Sequence, residues 1–304
     1  MSEVITHQNA ARVWVDTDVG TNVDDAFALA FAVRHPGVDL AGVSTVYANT
    51  ALRARIGARI IELAGGHFTP SAGYGRPMTP GLEPVLGGHE GQGLLDSATL
   101  SALTSPGQPE TDFDATTKLL SRIAELPAEV QIAAIGPLTN LAWLHRNDTH
   151  PRTVTAVGGT TRPGTGSDWN WTCDPAAASV VLDANLKLRL LPYDVTSRVW
   201  LDDADMDGLR SGDELCRLLA ELTRRWLAVR PALGKPPPHR AYLHDPLTLV
   251  TVTDTELFEF TEACIEVVEG GAARLVDGEP NCQVATGIDA RAAKAAVLGQ
   301  ILRP

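Results

Sequence analysis

The sequence predicts an α/β fold on an open, mostly parallel sheet with helices on both faces, and three features predict it. Short β-branched runs alternate with longer helical stretches in a βαβ rhythm. Runs such as QIAAIG and TVTAVGG are apolar at almost every position, as strands covered on both faces must be. Both end in glycine, at the carboxyl edge where open, Rossmann-like sheets bind ligands.

In order, Val13–Val15 is the first strand and a helix starts at Asp24. Val38–Val46 is the second strand, followed by a helix from Ala51 to Ala64. A Gly- and Pro-rich stretch, Gly65 to Pro109, interrupts the rhythm. It resumes with a helix at Ala115–Leu126, a strand at Val130–Ile135 and a helix at Leu138–His145. Thr153–Val157 is a strand, and Asp174-Pro175 opens a helix because proline suits the first helical turn. The strand Leu186–Leu191 follows. The last third holds a helix from Asp213 to Val229, the stiff GKPPPH turn, the HDPLTLV segment, and strands near Cys264–Val268 and Cys282–Ala285. Pro236–Pro238 reads as a loop facing the site, since globular sequence flanks it and no polar low-complexity tract divides the chain. The expected organisation is a single catalytic domain over residues 1–304.

With 25 Lys plus Arg against 37 Asp plus Glu, the net charge is −12 and no basic run stands out, which argues against nucleic acid as a partner. A small, neutral or metal-assisted substrate fits better. Cys173, Cys216, Cys264 and Cys282 stand far apart with no Cys-x-x-Cys pair, so neither a zinc site nor a disulfide framework is suggested. The segment MSEVITHQNAAR lacks an apolar signal core, and no apolar stretch approaches the roughly 20 residues of a membrane helix. A soluble, cytoplasmic protein is expected.

The chemistry starts in VWVDTDVGTNVDDAFALAF, where Asp16, Asp18, Asp24 and Asp25 flank one glycine turn. Carboxylates at the end of a buried strand repel one another unless something positive sits between them, and a hard divalent cation does this well. The competing reading makes Asp24 and Asp25 helix-start acids and Asp16 and Asp18 partners of turn amides. The whole set at a strand's carboxyl edge favours a functional site. DTDVGT also resembles the opening of the haloacid dehalogenase-like phosphatases, where Asp16 and Asp18 would work around magnesium. Those enzymes need a later lysine and a downstream acidic pair, whereas the second pair here lies within one loop of the first.

The longer pattern DTDVGTNVDDAFALA resembles the opening motif of the inosine-uridine type nucleoside hydrolases, which cleave the N-glycosidic bond of ribonucleosides. Further resemblances follow in the family's order: STVYANTAL with Asn49, HEGQGLL with His89, AAIGPLTNLA, GSDWNWTCDPAAA and AYLHDPLTLV. They span the chain from Asp16 to about Val250. The resemblance implies one calcium ion per chain, held by the Asp18, Asp25 and Asp245 carboxylates and the Ile135 carbonyl. It makes Asp18 the base that activates a metal-bound water, with Asp16 supporting the loop. His244 would protonate the leaving base. Asp24, Asn170 and Asp245 would take the ribose hydroxyls, with Asn49 and His89 nearby and Asp168 towards the 5′ end. A homodimer or homotetramer is implied. A non-hydrolytic ribose-binding relative is the other alternative, because Asp168 stands where the family commonly has Glu.

Taken alone, several of these residues have structural readings. Asn49 suits a turn, His89 a loop, and His244-Asp245-Pro246 a capped helix start. If the segment around Asn170 is extended, Trp169 and Trp171 share one face and one ring can stack on a base. The helix Asp213–Val229 and the GKPPPHRAY loop are expected to wall the base, with His239, Arg240 or Tyr242 as contacts. Relative to the commonest family form, Thr21-Asn22 is inserted between Gly20 and Val23.

Overall fold

Strands β1 (Ala11–Thr17), β2 (Val38–Thr45), β3 (Ser71–Ala72), β4 (Gln131–Ala134), β5 (Thr153–Val157), β6 (Lys187–Leu191), β7 (Phe258–Val268), β8 (Ala272–Val276) and β9 (Cys282–Ile288) join one sheet. Their order is β3-β2-β1-β4-β5-β6-β9-β7-β8. The ladder is parallel from β3 to β9, and β7 runs antiparallel to both β9 and β8. This computed structural model describes residues 10–104, 113–146, 152–162, 167–184, 186–234 and 240–303. The expected contacts at Pro236–Pro238 and His239 lie outside the described residues.

Successive strand residues face opposite sides, and the two faces build two cores. Val13 and Val15 of β1 pack with α1 (Asp24–Arg34), α2 (Thr50–Leu63) and later helices through Phe27, Leu29 and Ile60. Trp14 points the other way, into a core with Ile132 of β4, Leu119 of the helix Phe113–Ala124 and Leu141 of the helix Thr139–His145. Both cores are covered, which is why the parallel strands read as unbroken apolar runs.

The predicted parallel strands and main helices are found within a few residues of their expected bounds. The C-terminal edge differs. β7 starts at Phe258 rather than near Cys264, and a register shift between Glu259 and Phe260 breaks the period of two that would have marked it. The Gly- and Pro-rich stretch is not featureless, holding β3 and the helix Ser97–Thr104. Around Asn170 the chain forms a short helix, Trp169–Cys173, instead of an extended segment. Among the described residues, no helix is long and apolar enough to cross a membrane.

Candidate active site

β1 lies between β2 and β4, and the connections leave it in opposite directions, so a crevice opens at the carboxyl ends of β1 and β4. Asp16 and Thr17 close β1, and the loop to α1 carries Asp18. The Thr17 hydroxyl donates to Asp25 Oδ1 at 2.5 Å and accepts from the Val19 amide at 3.1 Å, which folds the loop back onto the helix start. Gly136, just past β4, is needed here: a Cβ on it would stand 2.9 Å from the Asp18 nitrogen and 3.1 Å from Asp18 Oδ1. The strand-end glycine therefore lets Asp18 approach the sheet edge.

Asp24, Asp25 and Asp245 are all buried, and each offers a carboxylate oxygen within 4.8 Å of the others. Asp245 arrives from the far end of the sequence, opening α3 (Pro246–Thr253). It stands at the N-cap position yet makes no side-chain cap bond, so the capped-helix reading of His244-Asp245-Pro246 is not what the fold uses. The α1 start is likewise capped by neither acid, its N-cap being Val23. Asp24 Oδ1 is buried without a hydrogen-bond partner.

Burial raises all these carboxyls above their ordinary range. Asp24 is pushed up to about 7, and Asp18 adds repulsion. Asp25 and Asp245 are pushed well above it, each by burial first and by the neighbouring aspartates next. Asp18 is raised by burial, while the Arg53 guanidinium pulls the other way. An orphaned buried oxygen amid crowded, mutually repelling carboxylates is a donor set that fits a hard divalent cation. The tight trio contains Asp24 where the sequence reading placed Asp18.

Asp16 supports the edge from behind. Its Oδ1 accepts from the Ser44 hydroxyl at 2.5 Å and from Asn140 Nδ2 at 2.8 Å, and Trp14 Nε1 donates to Ser44 at 2.8 Å. Burial still lifts its pKa to about 7. Asn140 belongs to the AAIGPLTNLA motif but escaped sequence reasoning, because the partner it serves is more than a hundred residues away.

The remaining expected residues each have local partners. Asn170 sits at the strand ends, its Nδ2 donating to the Ile135 carbonyl at 3.0 Å and the Val157 carbonyl at 3.2 Å. Asp168 caps the short helix by accepting from the Trp171 amide at 2.9 Å, and burial lifts its pKa to about 6. Asn49 caps α2, accepting from the Leu52 amide at 2.9 Å, and donates to the Leu103 carbonyl at 2.7 Å. Both ends of its amide serve the scaffold. His89 Nε2 lies 2.8 Å from the Thr21 carbonyl, and its ring stacks on Trp226 at 6.1 Å. It lines a cavity of about 150 Å³ with Thr21, Asn22 and Trp226, and none of the carboxylates lines that cavity.

The two tryptophans do not share a face. Trp171 is fully buried against Gly158 and Gly159, and a Cβ on Gly158 would stand 2.3 Å from its Nε1. Trp169 is 40% exposed and meets Tyr47 edge-on at 6.4 Å. Because the segment is helical, neighbours two apart point in different directions.

His244 lies beside the acids, with Tyr193 at 5.4 Å and Tyr242 at 5.1 Å between ring centroids. Its Nδ1 is 2.8 Å from the Thr196 hydroxyl, which has the Pro192 carbonyl at 3.2 Å as an acceptor. Which of the two donates depends on the imidazole tautomer, and in either case the contact fixes the orientation of the ring. Burial, then the nearby Arg230 charge, lowers the His244 pKa to about 3.

Two buried charged residues beside the acid loop were not anticipated. Arg53 is 1% exposed and directs its guanidinium to the acid loop, and Glu90 is a buried carboxylate bound by the Thr21 hydroxyl. The only sequence signal for Arg53 is an arginine on the otherwise apolar stripe of α2.

The family model described as "Inosine-uridine preferring nucleoside hydrolase" matches residues 13–295. The probable uridine nucleosidase 1 of Oryza sativa subsp. japonica is 26% identical over 279 residues, covering 86% of this chain and 82% of that protein. The pyrimidine-specific ribonucleoside hydrolase RihA of Photobacterium profundum is 28% identical over 275 residues, with 86% of each covered. Among solved structures, the purine-preferring ribonucleoside hydrolase from Gardnerella vaginalis superposes with a TM-score of 0.77 at 20% identity, covering 95% of this chain and 98% of the other. The phosphatase reading of DTDVGT finds no support in these likenesses, and with the acid edge at β1 and β4 they establish that the chain belongs to the inosine-uridine preferring nucleoside hydrolase family.

Proposed function

We propose that the chain, an N-ribosyl hydrolase by family, splits ribonucleosides into base and ribose at the β1 and β4 edge, with one calcium ion held by its aspartates. The observation that carries this is the meeting of Asp24, Asp25 and Asp245 oxygens within 4.8 Å, from opposite ends of the sequence. Asp25 and Asp245, Asp18 beside Gly136, and the Ile135 carbonyl would hold the ion, which supplies a water of lowered pKa.

Asp18 is the base that takes the water's proton. Burial would keep its carboxyl protonated, and the Arg53 charge acts against that, towards the ionised form a base needs. Asp24, Asn170 and Asp245 face the ribose hydroxyls, and a site built on such groups rejects sugars lacking them. As the bond breaks, positive charge builds on the sugar, which the surrounding carboxylates favour. The leaving base is assisted by His244, whose ring is held through Nδ1 by the Thr196 hydroxyl. Burial and the Arg230 charge keep the imidazole neutral at rest, so His244 relays a proton taken from solvent to the leaving base rather than storing one.

Names of the sequence relatives favour uridine as the first substrate to test. The experiment is a panel of uridine, cytidine, inosine, 5′-modified and nicotinamide ribosides with product identification, run on the native chain and on Asp18→Asn. Expected is release of free base and ribose, lost by about 1,000-fold in folded Asp18→Asn. Binding without cleavage across the panel would instead favour a ribose-binding relative, and unchanged turnover in Asp18→Asn would remove Asp18 from the mechanism.

A further inference from the structure

Arg53 is among the largest fully buried side chains, and its hydrogen bonds go mainly to main chain. Nε donates to the Tyr47 carbonyl at 2.7 Å, and Nη1 donates to the carbonyls of Asp18 and, at 3.0 Å, Val19. Nη2 donates to the Thr21 hydroxyl at 3.3 Å. One planar fork thus ties two separate turns together, which a lysine's single ammonium could not do.

Both turns need holding. Tyr47 and Ala48 adopt left-handed backbone, with φ of 69° and 58°, although neither is glycine. Such residues cost on the order of 1 kcal/mol each and persist only where the surroundings over-determine them. The second turn is the acid loop itself. Its Thr21 is a junction: the hydroxyl accepts from Arg53 and donates to Glu90 Oε1 at 2.9 Å, and the carbonyl accepts from His89 at 2.8 Å. Glu90 Oε1 also accepts from the Gly87 amide at 2.6 Å. Burial would raise the Glu90 carboxyl, but these hydrogen bonds and its own amide outweigh it and leave it below its usual range.

We propose that Arg53 is the positioning residue of the acid loop, and that Thr21 extends its hold to the His89–Glu90 loop. This rests on reading the acid cluster as a cation site. Arg53 binds the carbonyl of Asp18 and leaves its carboxylate oxygens open, so a fixed charge shapes the loop without competing with a cation for the same atoms.

Charge and geometry make opposite predictions, which gives the test. Removing a buried positive charge should tighten binding of a divalent cation, whereas loss of loop geometry should weaken it. Calcium affinity is measured by titration calorimetry on Arg53→Met, Arg53→Lys and Thr21→Val, alongside kcat and KM for uridine. Expected is calcium binding weaker by about 10-fold in both Arg53 variants and by a smaller factor in Thr21→Val, with kcat falling more than KM rises. Unchanged or tighter calcium binding in the folded variants overturns the proposal, as does a loss confined to melting temperature. If neither Arg53 variant folds, Thr21→Val decides. Should the native chain split no nucleoside, the hydrolase reading fails while the calcium titration still judges Arg53.

Discussion

Two Asp-Pro pairs stand at the same place on two helices and do opposite things. Asp174-Pro175 opens the helix Pro175–Leu182, and Asp245-Pro246 opens α3, each with proline in the first turn. Both aspartates are buried. Asp174 accepts from the Met78, Thr79 and Ala177 amides and from the Thr79 and Thr139 hydroxyls, at 2.6–3.3 Å. Asp245 makes no cap bond; its backbone is already helical and its carboxylate turns to Asp24 and Asp25. Burial alone does not make a site, and the donors around the carboxylate decide. Where donors saturate the oxygens, the charge holds the fold together. Where other acids surround them, the charge is kept for something the chain must bind.

The largest expected effect comes from exchanging one atom in each pair. Asp245→Asn should lower kcat/KM for uridine by about 1,000-fold while leaving denaturant stability without metal unchanged or higher, since a repulsive buried charge is gone. Asp174→Asn should do the reverse, costing about 3 kcal/mol by urea denaturation because an amide group now faces donors, with turnover per folded molecule retained. Similar activity losses in both would erase the distinction.

Solution pH sharpens the comparison without mutation. Asp16 and Asp24, raised to about 7 from 3.8, keep protons in the folded state that the unfolded chain has released. Their contribution to stability is whole below the unfolded value and is lost as pH rises through the folded one. Chelator-treated protein should therefore melt several degrees lower at about pH 8 than at about pH 5, and calcium should remove the difference. A melting temperature that rises with pH in chelator would contradict the raised carboxyls.

The smallest effect concerns Asn49, whose amide caps α2. Asn49→Ala should cost about 1 kcal/mol in stability and leave KM for uridine within about two-fold. A large rise in KM would return Asn49 to the substrate, where the family resemblance had placed it.

Much of this was legible in the chain. The apolar parallel strands, the helix starts at Asp24 and Asp174 and the acidic motif depend on neighbours in sequence, and local pattern carries them. Legibility failed where the cause was distant. The β7 strand was shortened in expectation because a bulge against β9 hides its alternation. One ring of Trp169 and Trp171 was expected to stack on a base from a shared face, yet the segment is helical and Gly158 and Gly159 on β5's outgoing turn give Trp171 a socket. Asp168 and Asn49, which the resemblance assigns to substrate, also cap helices, and one role does not exclude the other.

The sequence by itself determined that a parallel sheet would end in a band of carboxylates and glycines, since covered strands and tight strand-end turns admit few other residues. Only the tertiary structure decided which carboxylates meet. Asp245 reaches Asp24 and Asp25 because α3 packs against α1, while Asp18 lies outside that trio with its backbone carbonyl bound by Arg53. Distances between side chains far apart in sequence are set by packing, and packing belongs to the whole molecule.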